Sequence, residues 1–295
     1  MGKKRGNRAG FWFFRTSLKL FGLSGAYALL YPVCLYYLIF DRHAVSTAMT
    51  YVKRRFRSYN IFRRICAVYK LFVSQGKNLI DRYYHVAGLG QFDVELRGYD
   101  RIKSLLSNSQ KGFILLTAHV GNWQASMTAL KKLNKTVYLL MTPEENAAVK
   151  NTLNIGNEKD KAKIISPEKF LGGILEILKV IDEGNIVSIM GDRSYGHNSA
   201  RVSLLGGKAN LPVGAFSIAT ALKCSVVVLL PAKVSSRKYI IDVSHVITPR
   251  CSSKSGKEEE IRALVQQFAR ILEEYAVQYP FQWFVFSDIW EGEGE

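Results

Sequence analysis

The sequence predicts an α/β fold in which helices cover both faces of a central, mostly parallel sheet. Short, continuous apolar runs with the length of buried strands recur along residues 91–295. Stretches with apolar residues at helical spacing stand between these runs. Because alternating strands and helices build parallel neighbours with helices packed on the sheet, this order favours an α/β domain. A basic and apolar segment within residues 1–90 predicts a separate helical region that associates with a membrane.

The predicted elements follow one another without an internal repeat. Strands are predicted at residues 112–120, 136–142, 185–192, 224–232 and 239–247. The first four are nearly continuous apolar runs, typical of strands buried on both faces, and the last one alternates. Helices are predicted at residues 123–133, 174–184, 214–223 and 258–280. Gly184 suits the end of a helix, where a left-handed residue commonly closes the last turn.

Net charge limits the classes of partner. The chain has 41 Lys and Arg against 24 Asp and Glu, and its net charge is +17. Residues 1–70 hold 14 of the basic side chains and a single acidic one, Asp41. Such a charge suits phospholipid head groups, nucleic acid or phosphorylated substrates. Because the charge lies beside an apolar segment and no nucleic-acid-binding motif is present, an anionic membrane surface is favoured over nucleic acid.

The apolar segment is residues 21–40, which carry no charge and just reach the length that a helix needs to cross a bilayer. Its tyrosines, glycines and proline make it less apolar than a leucine-rich span, so a helix lying in one leaflet fits equally well. No small-x-small site follows it, which disfavours a cleaved signal peptide. Residues 51–84 have apolar residues at helical spacing with basic residues between them, which predicts one or two amphipathic helices.

The cysteines and histidines show no metal-binding pattern. Four cysteines are far apart in the sequence, at Cys34, Cys66, Cys224 and Cys251. Their spacing predicts reduced thiols in a protein that faces the cytosol, and no metal site is expected.

His119 and the residues after it have the clearest chemistry, because they lie at the junction of a predicted strand and a predicted helix. A histidine in a glycine-containing turn at the end of a strand can act as a general base near neutral pH. The stretch LTAHVGNWQASMTAL, residues 116–130, resembles the first motif, H-x4-D/E, of the lysophospholipid acyltransferase superfamily. It is most similar to the bacterial lipid A late acyltransferase branch, whose members are lauroyl or myristoyl transferases.

Three further blocks resemble the same branch in the same order. They are GDRSYG at 191–196, the glycine-rich block within 204–232, and the aromatic tail at 279–290. The resemblance implies a membrane-associated enzyme of lipid A biosynthesis at the cytoplasmic face of a bacterial inner membrane. It would move a fatty acyl group from an acyl-carrier-protein or coenzyme A thioester to a hydroxyl or amine of a lipid acceptor. It implies no further cofactor, no metal and no covalent enzyme intermediate.

The same resemblance assigns roles to individual residues. His119 would take the proton of the acceptor as a general base. The residues expected to bind substrate are Asn122, Asp192, Arg193, Gly206, Gly207, Lys208 and Pro212. Arg193 offers a planar fork of donors for phosphate or carboxylate, and Asp192 would orient it. Gly206 and Gly207 would let backbone N–H groups approach an oxyanion, and Lys208 would add a point charge.

One position departs from the family pattern. The acid expected after His119 is Gln124, whose amide can accept a hydrogen bond from the imidazole but carries no charge. Two hypotheses follow. Either another acid compensates, with Asp192 the nearest candidate by motif, or the chain is a catalytically impaired relative that binds lipid or a partner protein. The aromatic tail, which includes Trp283 and Trp290, is expected to be core packing.

Overall fold

The computed structural model describes residues 8–122, 126, 133, 135–141, 162–166, 173–193, 198–250 and 256–291. The chain forms two compact units, Met1–Gln91 and Phe92–Glu295. Most of the helix predicted at 123–133 lies outside the described residues.

The N-terminal unit is helical throughout its described part. It contains α1 (Arg8–Phe40), α2 (Arg42–Arg55) and α3 (Ile61–Val86). Gly22 interrupts α1 with φ 64° and ψ −161°. The other helices begin at capped positions, since the side chain of Asp41 accepts from the Ala44 N–H and that of Asn60 from the Arg63 N–H. Residues 51–84 thus divide between two helices.

A buried stripe joins α1 to α3. Leu23, Ala26, Leu30 and Cys34 recur at helical spacing on α1 and are all buried. Gly76 of α3 lies under Leu30, where a Cβ would come within 2.7 Å of a Leu30 methyl group. The absence of a side chain at this position lets the two helices approach closely.

The second unit contains four described helices and nine described strands. The helices are α4 (Tyr99–Asn108), α5 (Ile174–Asp182), α6 (Gly214–Leu222) and α7 (Lys257–Gln278). The strands are β1 (Asp93–Arg97), β2 (Phe113–Thr117), β3 (Val137–Leu140), β4 (Ala162–Ile165), β5 (Ile186–Met190), β6 (Ser199–Leu204), β7 (Gly207–Pro212), β8 (Val226–Lys233) and β9 (Lys238–Ile247).

The main sheet has seven strands in the order β1-β9-β8-β2-β5-β3-β4. Strands β8, β2, β5, β3 and β4 run parallel to one another. Strand β9 runs antiparallel to β8, and β1 follows the direction of β9. The predicted α/β fold with a mostly parallel sheet is therefore confirmed.

Strand β2 shows how both faces of the sheet are buried. Successive side chains of a strand point to opposite faces. Phe113 and Leu115 lie in one core cluster together with Ile102 of α4. On the other face, a Cβ built on Gly191 would lie within 3.1 Å of both Leu116 and Phe268 of α7. Helices therefore cover both faces, and each fully buried leucine or phenylalanine contributes roughly 1.5–3 kcal/mol.

The structure also differs from the sequence prediction in places. The strand predicted at 112–120 ends at Thr117, and β1, α4 and β4 were not predicted. Residues 204–212 of the glycine-rich block belong to a two-stranded antiparallel hairpin of β6 and β7. Leu205 and Gly206 form its turn with φ 49° and 67°. Two successive positive φ angles suit the tight turn that matches the twist of paired strands, and at Gly206 the glycine adopts such an angle without strain.

Candidate active site

The parallel pairing of β2 with β5 brings the ends of two strands together. Thr117, the last residue of β2, is in register with Met190, the last residue of β5. His119 and Asp192 each follow two residues later, so they meet beyond the carboxyl edge of the sheet. This edge is where ligands bind in open α/β sheets.

The side chain of Asp192 is held by three hydrogen bonds. Its Oδ1 lies 2.8 Å from Nδ1 of His119. Its Oδ2 accepts from the backbone N–H of His119 and from the indole Nε1–H of Trp283, each at 3.0 Å. Because Asp192 is fully buried, these donors replace the water that a carboxylate would otherwise bind.

This environment keeps Asp192 ionised. Burial by itself raises the pKa of Asp192, but the charge and hydrogen bonds of His119, together with the charge of Arg193, outweigh burial and lower the pKa to about 2. At neutral pH the carboxylate can only accept hydrogen bonds. The proton between the two side chains therefore belongs to Nδ1 of His119.

The proton on Nδ1 determines which nitrogen of the imidazole can act as a base. With Nδ1 protonated and bonded to Asp192, the neutral ring carries its lone pair on Nε2. The side chain of His119 is 19 % exposed, so a substrate can reach the ring. A carboxylate that accepts from Nδ1 also stabilises the imidazolium that forms when Nε2 takes a proton. The pair has the arrangement of a general base with an orienting acid.

The turn after His119 depends on Gly121. This residue has φ 44°, and a Cβ there would lie 2.1 Å from the carbonyl oxygen of Pro231. Glycine is needed both for the left-handed backbone and for the close approach to β8.

The C-terminal segment around Trp283 holds the same turn. Val120 forms a β-bridge with Trp283. The Gly121 N–H donates to the carbonyl of Gln282, and the Phe284 N–H donates to the carbonyl of His119, both at 2.8 Å. Trp283 is fully buried, as core packing requires, but its indole also holds Asp192. Sequence reasoning missed this contact, and the aromatic tail was its only signal.

Arg193 lies beside the pair. One of its terminal nitrogens donates to the carbonyl of Phe284 at 2.6 Å. Its Nε is buried and has no hydrogen-bond partner among the residues that the structure describes. A partly exposed guanidinium with spare donors suits an anionic group of a substrate, and this role stays a prediction.

Asn122 and Gln124 were predicted to belong to the site. Asn122 is buried directly after the turn, and its carbonyl accepts from the backbone N–H of Ser126 at 3.1 Å. That bond spans four residues, as in the first turn of a helix. Gln124 lies outside the described residues, and the roles of both residues stay predictions.

The remaining predicted residues lie on the hairpin of β6 and β7. Gly206 is in its turn, and Gly207, Lys208 and Pro212 are in β7. The ammonium of Lys208 donates to the hydroxyl of Ser203 across the hairpin at 3.1 Å. The carboxylate of Glu273 on α7 accepts from the Leu205 N–H in the turn. The structure thus brings His119, Asp192 and Arg193 together, and substrate binding by the hairpin stays a prediction.

Within the described residues, no group of three or more His, Cys, Asp or Glu side chains is arranged to hold a metal ion.

One comparison with known proteins matches the part of the chain that contains the whole site. The sequence model of a family described as bacterial lipid A biosynthesis acyltransferase matches residues 90–291. That range contains His119, Asp192, Arg193, Trp283 and the hairpin. A search of curated proteins finds no significant match.

Proposed function

This chain belongs to the bacterial lipid A biosynthesis acyltransferase family, and we propose that it transfers a fatty acyl group from a thioester to a lipid acceptor with His119 as the base. Family membership itself implies a membrane acyltransferase that acts on lipid. The donor in the proposal is an acyl-carrier-protein or coenzyme A thioester. The acceptor is a hydroxyl or amine of a lipid A precursor or another bacterial membrane lipid.

The contact between His119 and Asp192 is the observation that carries the proposal. A buried carboxylate 2.8 Å from Nδ1 supplies the charge that Gln124 lacks. It holds the ring in the tautomer that leaves Nε2 free to accept a proton. We therefore propose that Asp192 positions the imidazole of His119 and does not act only by orienting Arg193.

The proposed reaction proceeds by direct transfer. As the acceptor oxygen or nitrogen attacks the thioester carbonyl, Nε2 of His119 takes its proton. The tetrahedral intermediate then expels the thiolate, which receives that proton from His119. A new ester or amide bond forms and the thioester bond breaks, with no net gain or loss of protons. Because a thioester is already activated, the proposal includes no further cofactor.

The proposed partners follow from charge. Arg193 is positioned to bind a phosphate or carboxylate on donor or acceptor. The basic N-terminal unit is proposed to bind an anionic membrane surface, and nucleic acid is not a proposed partner. We place the protein at the cytoplasmic face of the inner membrane, because acyl-carrier-protein and coenzyme A thioesters are cytosolic.

Acyl transfer by purified full-length protein in detergent tests the proposal. Acyl-carrier-protein and coenzyme A thioesters are offered with lipid A precursors and other membrane lipids, and acylated products are identified by mass spectrometry. We expect His119→Ala to lower the rate about 10²–10⁴-fold. His43→Ala, at an exposed histidine on α2, is the matched control and should retain the wild-type rate. Equal rates for His119→Ala and wild type would refute the assigned base.

The second candidate is a catalytically impaired relative that binds lipid or a partner protein. Gln124, which stands where the family has an acid, is the observation that favours it. This candidate predicts saturable binding of the lipid acceptor without turnover of any thioester. A wild-type rate that His119→Ala abolishes would exclude it.

A further inference from the structure

We propose that α1 does not cross the membrane but lies along one anionic leaflet, with α3 packed on its cytosolic side, so that both ends of α1 stay on one side of the bilayer. This inference rests on the membrane association proposed above and is independent of the reaction. It concerns the N-terminal unit alone. Within the described residues, the stretch Trp12–Phe40 is the one helix long and apolar enough to span.

Packing against α3 is the first argument. The contacts run antiparallel, since Arg15 stacks on the ring of Tyr83 and the carbonyl of Tyr31 accepts from the hydroxyl of Tyr69. The buried stripe described above extends this packing from Leu23 to Cys34. Any movement of α1 into the hydrocarbon therefore takes α3 with it.

The composition of α3 is the second argument. This helix has charged side chains along its length, at Arg63, Arg64, Lys70, Lys77, Asp81 and Arg82. A spanning α1 would place the middle of α3 at the depth of the bilayer centre. Lysine and arginine side chains are costly there, whereas they are favourable near anionic head groups.

Polar contacts between α1 and α3 also support a position at the membrane surface. The hydroxyl of Tyr27 donates to the buried carboxylate of Asp81. The ammonium of Lys77 lies 5.3 Å and 5.5 Å from the ring centres of Tyr27 and Tyr31. These contacts join the helices through ionisable groups, which suits a pair of helices at the polar interface better than one in hydrocarbon.

The surface of α1 opposite α3 is the third argument. Ala28, Pro32, Leu35 and Ile39 recur at helical spacing, half a turn away from the buried stripe, and all four are exposed. We call these residues the outer face of α1. Only 22 % of the most apolar stretch of α1 is buried inside the protein. An apolar face of this kind is typical of a helix that lies in a leaflet with its axis in the membrane plane.

The positive charge of the N-terminal unit indicates that an anionic bilayer binds the outer face of α1. The exposed basic residues of the unit include Arg42 and Lys53 on α2, Arg57 between α2 and α3, and Arg63 and Lys70 on α3. A unit that combines an exposed apolar face with many exposed basic residues complements hydrocarbon together with anionic head groups. The same charges would not help a neutral protein surface to bind.

Accessibility of single cysteines tests the orientation of α1. In the full-length protein with Cys66 and Cys251 changed to serine, one reporter is introduced before the apolar stretch by Lys19→Cys and one after it by Ser46→Cys. Both positions are exposed. A membrane-impermeant maleimide is applied to spheroplasts and to inside-out vesicles. We expect both reporters to react in inside-out vesicles and neither in spheroplasts. Reaction of the two reporters from opposite sides would overturn the proposal.

Vesicle flotation tests the outer face. We expect Leu35→Ser combined with Ile39→Ser to weaken binding of the full-length protein to phosphatidylglycerol-containing vesicles at least tenfold. Leu79→Ser is the control, because Leu79 is an exposed apolar residue on α3 that lies outside this face. Equal binding by the double variant and the control would overturn the proposal. We expect these changes to leave acyl transfer to detergent-dispersed acceptor unaffected, so failure here is distinguishable from failure of the proposed reaction.

Discussion

Asp192 lies against the imidazole of His119, with 2.8 Å between Oδ1 and Nδ1, although the two residues are 73 positions apart in the chain. They meet because β2 and β5 are parallel neighbours in register and each residue follows its strand by the same distance. The family pattern places the acid shortly after the histidine, and this chain has Gln124 there. In this chain an acid that follows the neighbouring strand β5 contacts Nδ1 of His119.

Removal of the charge of Asp192 should nearly abolish activity. Asp192→Asn keeps the shape of the side chain, but an amide can present a donor to Nδ1 and select the wrong tautomer. By analogy with the serine protease triad, we expect kcat to fall about 10⁴-fold. Asp182→Asn removes an exposed carboxylate that pairs with Lys111, and it should leave kcat unchanged. A rate for Asp192→Asn within tenfold of wild type would contradict this role.

The same variant should change the dependence of stability on pH. The pKa of Asp192 is about 2 in the folded protein and about 4 in an unfolded chain. A lowered pKa stabilises the folded state at pH above about 4. This stabilisation is lost as the pH falls toward the folded-state value of about 2. Guanidinium unfolding across this range should therefore show wild type and Asp192→Asn converging as the pH falls, and a constant difference would contradict the prediction.

Trp283→Phe should reduce both stability and activity. The variant keeps most of the buried ring but removes the N–H that Asp192 accepts at 3.0 Å. Loss of a donor to a buried charge costs about 1–3 kcal/mol, measured by chemical denaturation. Looser positioning of Asp192 should lower kcat about tenfold, which corresponds to about 1.4 kcal/mol in the barrier.

Trp290→Phe is the matched control for that change. Trp290 is also buried in the aromatic tail, and its indole donates to the carbonyl of Leu204 at 3.2 Å. Its loss should cost about 1 kcal/mol of stability with little effect on kcat. Equal losses of kcat in the two variants would mean that Trp283 acts only through packing.

The sequence predicts much of the sheet because its inner strands are continuous apolar runs. The strand predicted at 185–192, for example, contains β5, and the strand predicted at 224–232 contains all of β8 except its last residue, Lys233. Strand β1 has only exposed and half-buried residues, so it lacks the apolar run that marks a buried strand. The hairpin was not predicted from the sequence, because Gly206 and Gly207 were assigned to substrate binding and not to a turn between two strands. The alternating burial of β6 before that turn is the pattern of a half-buried strand.

The site could be predicted only in part. Local patterns alone place His119 and Asp192 at the ends of predicted strands, and in the structure each residue follows its strand by two positions. Their contact depends on which strands are neighbours in the sheet, and no local sequence pattern indicates the order of the strands. The bond from Trp283 is still less predictable, because it joins the aromatic tail to a loop 91 positions away.

Gln124→Glu separates the two candidate functions. Nδ1 of His119 has one proton, and Asp192 already accepts it. An acid at position 124 would have no further bond to accept from Nδ1, so we expect a rate within about twofold of wild type, equivalent to less than 0.5 kcal/mol in the barrier. A gain of tenfold or more would support the impaired relative, in which the missing acid limits the reaction.

Gly121→Ala should unfold the turn that positions His119. The new Cβ would meet the Pro231 carbonyl at 2.1 Å, and alanine would have to adopt a φ of 44°. Backbone strain and overpacking each cost about 1–3 kcal/mol, so we expect a loss of about 2–6 kcal/mol in the free energy of unfolding. Gly214→Ala is the control, because a Cβ there meets no atom within 4 Å and the residue begins α6. That variant should be unchanged or more stable by up to about 1 kcal/mol. Similar unfolding midpoints for the two variants would show that the close contact with Pro231 does not constrain the turn.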